Sequence, residues 1–244
     1  MAAGLAKRML RPWVAAAAPV LRPVSGLLLW QGAMQALKQQ GFAPKTVFDI
    51  GVADGTPELY AAFPEAQYHL VDPTPEALPH MQAIAGQMKA EVHNLALGDQ
   101  DGEIEIETRA DDIQGATLFR EIGPLGETAR HRVPMRRFDS LFQDFARPAL
   151  CKIDVQGAEL MVLRGLGVRA RAIDVVIVEA STISTLEGAP EIFDIVAEMQ
   201  SLGFVIYDIL GLRRRPLDHA LAQVDLLFVP EGSRFRADHR WSAG

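Results

Sequence analysis

The stretch that decides the fold is TVFDIGVADGT, which covers residues 46–56. Its first half is rich in β-branched and aromatic residues, which predicts a buried parallel strand. The glycines that follow predict a tight turn, because glycine adopts backbone conformations that other residues avoid and lets a ligand approach the main chain. Thr56, Pro57 and Glu58 favour a helix N-terminus. A strand, a glycine turn and a helix start are together typical of a nucleotide-like cofactor site in a doubly wound sheet.

The spacing within this turn separates two kinds of cofactor. Dinucleotide-binding turns follow the pattern G-x-G-x-x-G/A, whereas here Asp49, Gly51, Ala53 and Gly55 follow one another in steps of two. An acidic residue at the end of the strand repels a pyrophosphate but suits the ammonium and sulfonium groups of S-adenosylmethionine. The pattern therefore favours S-adenosylmethionine, with an NAD-dependent oxidoreductase as the alternative.

A second acidic residue ends the next predicted strand. The strand-like run Tyr68–Val71 is followed directly by Asp72 and Pro73. A carboxylate at the tip of the second strand commonly accepts hydrogen bonds from ribose hydroxyls. We therefore expect Asp72 to bind the cofactor, although the same residue could simply open a turn at Pro73.

The composition fits a globular domain and restricts its partners. The chain has 244 residues, a formal net charge of -7 and 49% hydrophobic residues, so it lacks the broad basic surface typical of nucleic-acid-binding proteins. We expect no nucleic-acid partner. The single cysteine, Cys151, excludes an internal disulfide and a cysteine-rich metal site, and its apolar surroundings predict a core position.

The N-terminal segment differs from the rest of the chain in charge. No Asp or Glu precedes Asp49, although several Lys and Arg residues do. We expect a basic helical extension over residues 1–45, helix-like from Leu27 to Gln40, with a targeting peptide or contact with an anionic membrane surface as alternatives. The apolar run Trp13–Leu21 is short and interrupted by Pro19, which argues against a membrane span. We therefore expect a cytoplasmic protein, with peripheral contact to a membrane surface as the alternative.

Strand-like and helix-like runs alternate from residue 46 to residue 230, which predicts one α/β domain built on a parallel sheet, followed by a tail over residues 231–244. The predicted core strands are Thr46–Ile50, Gln67–Val71, Val92–Leu97, Ala149–Ile153, Ile173–Val178, Phe204–Leu210 and Val224–Val229.

The middle of the chain departs from this alternation. Asp101-Gly102 predicts a turn, and the period-two run Glu103–Glu107 predicts an edge strand or hairpin. Residues 109–132 are polar and rich in turn formers, so we interpret them as a long loop, either a lid over the substrate or a surface excursion.

Acidic residues end four of the predicted strands. Asp49, Asp72, Asp154 and Glu179 would share the edge of the sheet at which ligands bind in open α/β folds. Carboxylates crowded in a cleft raise one another's pKa, so they require a nearby cation or a role in proton transfer. Some of them could instead cap helices or pair with Lys152.

Six segments together resemble the FkbM-type family of S-adenosylmethionine-dependent methyltransferases. The resemblance covers roughly Thr46–Pro230, and its most specific part is KIDVQGAE, residues 152–159. The segments, in chain order, are VFDIGVADGT, VDPTPEAL, NLALGDQDGEIEI, VPMRRFDSLF, CKIDVQGAELMVLRG and VDLLFVP.

The resemblance implies a Rossmann-like class I methyltransferase fold with a mostly parallel seven-stranded sheet and a C-terminal antiparallel hairpin. It implies O-methylation of a hydroxyl on a small molecule or saccharide. Catalytic roles fall to Asp154, Glu159 and Glu179. The implied cofactor-binding residues are Asp49, Gly51, Ala53, Gly55, Asp72, Pro73, Ala96, Leu97 and Asp154. The family often shows G-A-N-x-G in its first loop, whereas this chain has Ala53 at the position of the Asn.

Several alternatives stay open at this point. A divalent metal between Asp154 and Glu179 is conceivable, but two acids do not define a site. A degenerate methyltransferase fold that acts as a binding or scaffold protein is a further alternative. Residues 109–132 and 211–223 are expected to shape the acceptor pocket, where Arg213–Arg215 suit either an acidic acceptor or a solvated surface.

Overall fold

The computed structural model describes residues 29–109, 112–120, 122 and 128–242. The expectations for residues 1–28 therefore lie outside the described residues. The helices are α1 (29–39), α2 (Pro57–Ala62), α3 (Ala77–Ala85), α4 (Phe138–Leu141), α5 (Glu159–Gly165) and α6 (Ile192–Ser201). The strands are β1 (Thr46–Ile50), β2 (Gln67–Val71), β3 (Ala90–His93), β4 (Ala96–Gly98), β5 (Gly102–Arg109), β6 (Asp112–Thr117), β7 (Thr128–Arg137), β8 (Ala149–Ile153), β9 (Val175–Ser181), β10 (Phe204–Arg214) and β11 (Leu221–Pro230).

The main sheet has seven strands in the order β10-β11-β9-β8-β1-β2-β3. Strands β9, β8, β1, β2 and β3 pair in parallel, whereas β10 and β11 form an antiparallel hairpin that joins the sheet through β9. The order reverses next to β1, and this switch point opens a crevice at the carboxyl ends of the strands. The structure confirms the predicted Rossmann-like fold, with a mostly parallel seven-stranded sheet and a C-terminal antiparallel hairpin.

Helices cover both faces of this sheet. All five residues of β1 are buried, and alternate residues enter opposite cores because side chains alternate across a strand. Phe48 packs with side chains from α4, α5 and α6. Val47 packs on the other face with α1, α2 and α3. Within α1, Ala33, Met34 and Leu37 are buried, so this helix is part of the domain core.

A second sheet corrects the prediction of a long loop at residues 109–132. Strands β4, β7, β5 and β6 form a four-stranded sheet in that order, and described parts of the expected loop belong to β6 and β7. Arg130 pairs with Glu105 at 3.3 Å across β5 and β7. Because such cross-strand ion pairs satisfy polar side chains on an exposed ribbon, the sequence looks like a loop although the backbone is a strand.

Two other predicted boundaries change. The expected strand Val92–Leu97 divides into β3 and β4, which belong to different sheets. The expected loop at residues 211–223 is mostly hairpin, because β10 continues to Arg214 and β11 starts at Leu221. An ion pair between Arg215 and Asp218 at 2.7 Å supports the short connection. Across the described residues, every helix is too short or too polar to traverse a bilayer.

Candidate active site

A cavity of about 270 Å³ lies at the carboxyl ends of β1, β2, β8 and β9. The second sheet contributes a further wall through Ile106 and Met135. The cavity brings together most of the cofactor-binding and catalytic residues expected from the sequence. The expected residues that line it are Gly51, Ala53, Gly55, Asp72, Pro73, Ala96, Leu97, Asp154 and Glu179.

The turn after β1 exposes its main chain to this cavity. Gly51 and Gly55 have φ angles of +78° and +114°, and Ala53 also adopts a positive φ of +47°. A Cβ at Gly51 would collide with the carbonyl oxygen of Asp154, so glycine is required there for space as well as for conformation. Gly51 N–H donates to the carbonyl of Val71 at 2.8 Å, which anchors the turn to β2.

Asp72 joins this turn to the tip of β2. The residue is 5% exposed, and its Oδ2 accepts a hydrogen bond from the Ala53 N–H at 2.9 Å. Its Oδ1 accepts from the N–H and the hydroxyl of Thr74 at 2.9 and 2.7 Å. Asp72 thus opens the turn at Pro73 and also lines the cavity, and its role in cofactor binding stays a prediction.

The placement of Asp49 requires a correction. Its carboxylate is fully buried and does not line the cavity. It accepts hydrogen bonds from the Tyr60 hydroxyl at 2.6 Å and the Thr56 hydroxyl at 3.3 Å, and it lies 3.6 Å from the Lys152 ammonium. Burial and the neighbouring Asp49 charge raise the pKa of Tyr60. Asp49 therefore supports the turn from behind instead of contacting a ligand directly.

A buried charge network occupies the floor of the cavity. The Lys152 ammonium donates to Asp154 Oδ2 at 3.2 Å. Burial alone would raise the pKa of Asp154, but Lys152 outweighs burial and holds that pKa below its usual range. Burial, followed by the charges of Asp154 and Asp225, raises the pKa of Glu179 well above its usual range. The lowered pKa favours the ionised form of Asp154, and the raised pKa favours the protonated form of Glu179.

Gln156 connects the two acids. Its side-chain nitrogen donates to Asp154 Oδ1 and to Glu179 Oε2, both at 2.9 Å. Gln223 donates to the same Glu179 oxygen at 3.1 Å. Because the amide nitrogen of Gln156 bridges the two carboxyl groups, it takes the position that a metal shared by Asp154 and Glu179 would need.

Glu159 lies behind this network. It is 5% exposed, and its Oε1 accepts hydrogen bonds from the N–H groups of Val155 and Gly157 at 3.2 and 3.1 Å. Burial is the main reason why its pKa rises to about 7. Glu159 holds the turn before α5 in shape and lines a second, adjoining cavity instead of the main one, so its expected role in positioning or deprotonating the substrate stays a prediction.

A second cavity of about 240 Å³ adjoins the first. Thr117, Gln156, Glu179 and Arg213 line both cavities. Gly157, Glu159, four residues between Ser181 and Leu186, and the tip of the β10–β11 hairpin form the rest of its wall. Described parts of residues 109–132 and 211–223 line this cavity, although both segments are built largely as strands, and their expected role in shaping the acceptor pocket stays a prediction.

Sequence reasoning missed several residues of the main cavity, among them Gln156, Asp225 and Trp30. Asp225 accepts a hydrogen bond from the Trp30 indole at 3.3 Å, and burial, followed by the charge of Asp154, raises the pKa of Asp225. Asp225 is paired with Glu179 across β11 and β9. An acid inside the apolar run VDLLFVP is a usable signal for Asp225. Trp30 lies far away in sequence and gives no such signal.

One family model and several solved structures are similar to this chain. The family model described as "Methyltransferase FkbM domain" matches residues 49–206. No curated protein sequence matches the chain. Among solved structures, EvdMO1 is 13% identical with a TM-score of 0.42, and the alignment covers 82% of this chain and 41% of EvdMO1. The chain thus spans less than half the length of EvdMO1.

Two further solved structures are similar over most of their length. Magnesium protoporphyrin IX methyltransferase (ChlM) from Synechocystis PCC 6803, solved with bound SAM, is 13% identical with a TM-score of 0.44, and the alignment covers 85% of this chain and 80% of that one. The 1,6-didemethyltoxoflavin-N1-methyltransferase of Burkholderia thailandensis, solved with S-adenosylhomocysteine, is 12% identical with a TM-score of 0.44, covering 93% and 89%.

Proposed function

The chain belongs to the FkbM methyltransferase family and is a methyltransferase. We propose that it transfers the methyl group of S-adenosylmethionine to a hydroxyl of a small molecule or saccharide. The observation that carries this proposal is the junction of two cavities at Gln156 and Glu179. One cavity has an open glycine turn and several carboxylates, and the other offers room for an acceptor. The family match also decides against the NAD-dependent alternative.

The residues of the main cavity fit S-adenosylmethionine. The Gly51–Gly55 turn offers open main chain, and Asp72 offers a carboxylate suited to ribose hydroxyls. Ala96 and Leu97 add apolar surface suited to an adenine ring. The acidic floor suits the positive charge of the methionine end. When bound, the cofactor supplies an electrophilic methyl group on a sulfonium, with a neutral thioether as the leaving group.

Asp154 is the best candidate for taking the proton from the acceptor hydroxyl. It lines the main cavity and is ionised, because Lys152 lowers its pKa. Gln156 and Lys152 hold its two oxygens by hydrogen bonds and so fix its direction. A base in a fixed position contributes to the rate through proton transfer and through alignment of the nucleophile.

Glu179 has a different role in this proposal. Its raised pKa favours the protonated form, and in that form it can donate a hydrogen bond to the acceptor oxygen from the wall shared by the two cavities. The side-chain nitrogen of Gln156 donates to both carboxyl groups and so fixes their relative positions. Together these groups would orient the hydroxyl between Asp154 and the methyl donor.

A methyl-transfer assay with a panel of acceptors tests the proposal. The purified full-length chain is incubated with labelled S-adenosylmethionine and matched acceptors that carry a hydroxyl, an amine or a thiol on the same small-molecule or saccharide scaffold. We expect label only in the hydroxyl acceptors. Transfer to amines or thiols alone would overturn the assignment of a hydroxyl, and cofactor binding without any transfer would favour the scaffold alternative.

A further inference from the structure

Three side chains of metal-ligating types meet at the β3 edge of the main sheet, outside the linings of both cavities. His69 lies on β2, and Glu91 and His93 lie on β3. His69 Nδ1 is 3.1 Å from His93 Nε2. Glu91 Oε2 is 3.6 Å from the former nitrogen and 4.0 Å from the latter. The three ligand atoms lie within 4.8 Å of one another.

The strand register explains why these atoms converge. His69 is paired with Glu91 across β2 and β3, and His93 is paired with Val71. Glu91 and His93 are two residues apart, so they lie on the same face of β3. All three side chains therefore project from one face of two neighbouring strands, where the backbone is held by the sheet.

Aromatic packing fixes the two imidazole rings. The His69 ring stacks on Phe48 with centroids 5.0 Å apart and an interplanar angle of 15°. The His93 ring packs at 90° to Phe142, with a centroid distance of 5.2 Å. Because Phe48 and Phe142 belong to the core, the rings cannot turn without disturbing it. Such support of ligand rotamers is what a preorganised metal site requires.

The cluster is accessible on one side only. The side chains of His69 and His93 are 14% and 18% exposed, whereas that of Glu91 is 62% exposed. The two imidazoles are therefore largely shielded from solvent, and the Glu91 carboxylate faces it.

We propose that His69, Glu91 and His93 bind a divalent transition metal ion of the Zn²⁺ type. Two imidazole nitrogens and one carboxylate oxygen are ligands that suit Zn²⁺, Co²⁺ and Ni²⁺ better than Mg²⁺ or Ca²⁺. Water completes the coordination from the exposed side. The bound ion connects the edge strand β3 to β2. This site is separate from the methyl-transfer chemistry and does not depend on the proposed function.

Titration of the metal-free, tag-free full-length chain with Co²⁺ tests the proposal. We expect one Co²⁺ per chain and a visible absorption band typical of Co²⁺ with a low coordination number. Added Zn²⁺ should then displace the Co²⁺. Zn²⁺ should also raise the melting temperature, since a ligand that binds only the folded state stabilises it. Absence of saturable Co²⁺ binding would overturn the proposal and would mean that the two histidines form only a hydrogen bond.

Two variants test whether these residues bind the metal ion, and a third variant serves as the control. His93→Ala should weaken Co²⁺ binding by more than about 100-fold, since loss of a supporting contact to a ligand already costs about 10–100-fold. Glu91→Gln, at an exposed position, should weaken it with little effect on folding. His80→Ala changes an exposed histidine of α3 and should bind Co²⁺ like the wild type. Circular dichroism of all three variants serves as the check of folding, and unchanged Co²⁺ affinity in both His93→Ala and Glu91→Gln would refute the assignment.

Discussion

The turns after β1 and β8 have similar backbones but different chemistry. The first turn, residues 51–55, combines positive φ angles with small side chains at Gly51, Ala53 and Gly55. The second turn, residues 154–158, has positive φ angles at Gln156 and Gly157. The two turns touch at Gly51, where only a hydrogen atom fits against the main chain of the second turn. The first offers backbone to a cofactor, whereas the second offers polar side chains to the reacting groups.

The second turn maintains a conformation that costs energy. A non-glycine residue in the left-handed region costs about 1–2 kcal/mol. Gln156 has a φ of +49°, and its side chain and carbonyl form hydrogen bonds with Asp154, Glu179 and Thr117. These bonds offset the cost and hold the amide between the two acids. Backbone strain retained at this position is consistent with a functional role for the turn.

The contact between the two turns should be the most sensitive point of the molecule. Gly51→Ala introduces a Cβ that collides with the Asp154 carbonyl, so we expect cofactor affinity to fall by more than about 100-fold, or the fold to be lost. Calorimetry and circular dichroism measure both outcomes. Gly188→Ala is the matched control, because Gly188 has a similar φ of +76° but no neighbour within 4 Å. Equal effects of the two substitutions would mean that backbone conformation, and not the contact, is responsible.

Removal of the charge from the second turn should affect turnover more than binding. Asp154→Asn keeps the shape but removes the base, and we expect the methyl-transfer rate to fall by about 10²–10⁴-fold. Asp144→Asn, at an exposed position away from the cavities, should leave the rate unchanged. An Asp154→Asn variant with retained cofactor affinity and wild-type turnover would contradict the role of Asp154.

The support of the first turn should affect binding more than turnover. Asp72→Asn replaces the oxygen that accepts from the Ala53 N–H or the one that accepts from Thr74. Loss of one such bond near the ribose position should reduce cofactor affinity by about tenfold, equivalent to about 1.4 kcal/mol. Isothermal titration with S-adenosylmethionine measures this change. A fall in turnover at saturating cofactor, with unchanged affinity, would move Asp72 from cofactor binding to the reaction itself.

The smallest effect should come from Glu159 and should depend on pH. Its pKa rises to about 7 in the folded chain, so its contribution to stability is fully present below about pH 4.5 and is lost as the pH rises through about 7. Glu159→Gln keeps an oxygen for the N–H groups of Val155 and Gly157 but cannot ionise. We expect the variant to be more stable than wild type by about 1–3 kcal/mol at pH 8 and equally stable near pH 4. Urea unfolding at both pH values measures the difference, and a pH-independent difference would exclude titration of Glu159 as its cause.

The sequence predicts the core of this fold well because its strands are buried on both faces. Thr46–Ile50 and Ala149–Ile153 are apolar runs with acids at or just beyond their ends, and both occur as strands with the expected bounds. The strand predicted at Glu103–Glu107 is confirmed by β5, whereas β6 and the start of β7 were predicted as a loop, because polar and charged residues on an exposed strand resemble a loop in sequence. The direction of a side chain was the other feature that could not be predicted from the sequence. A sequence shows that Asp49 ends a strand, but only packing against Tyr60 and Lys152 shows that it turns away from the cavity.

Titration of the full-length wild-type chain with S-adenosylmethionine tests the central claim most directly. The account predicts one cofactor molecule per chain, with a dissociation constant below about 100 µM, equivalent to about 5.5 kcal/mol of binding free energy. NAD⁺ at the same concentration should give no binding heat. Binding of NAD⁺, or absence of S-adenosylmethionine binding by a folded chain, would contradict the account.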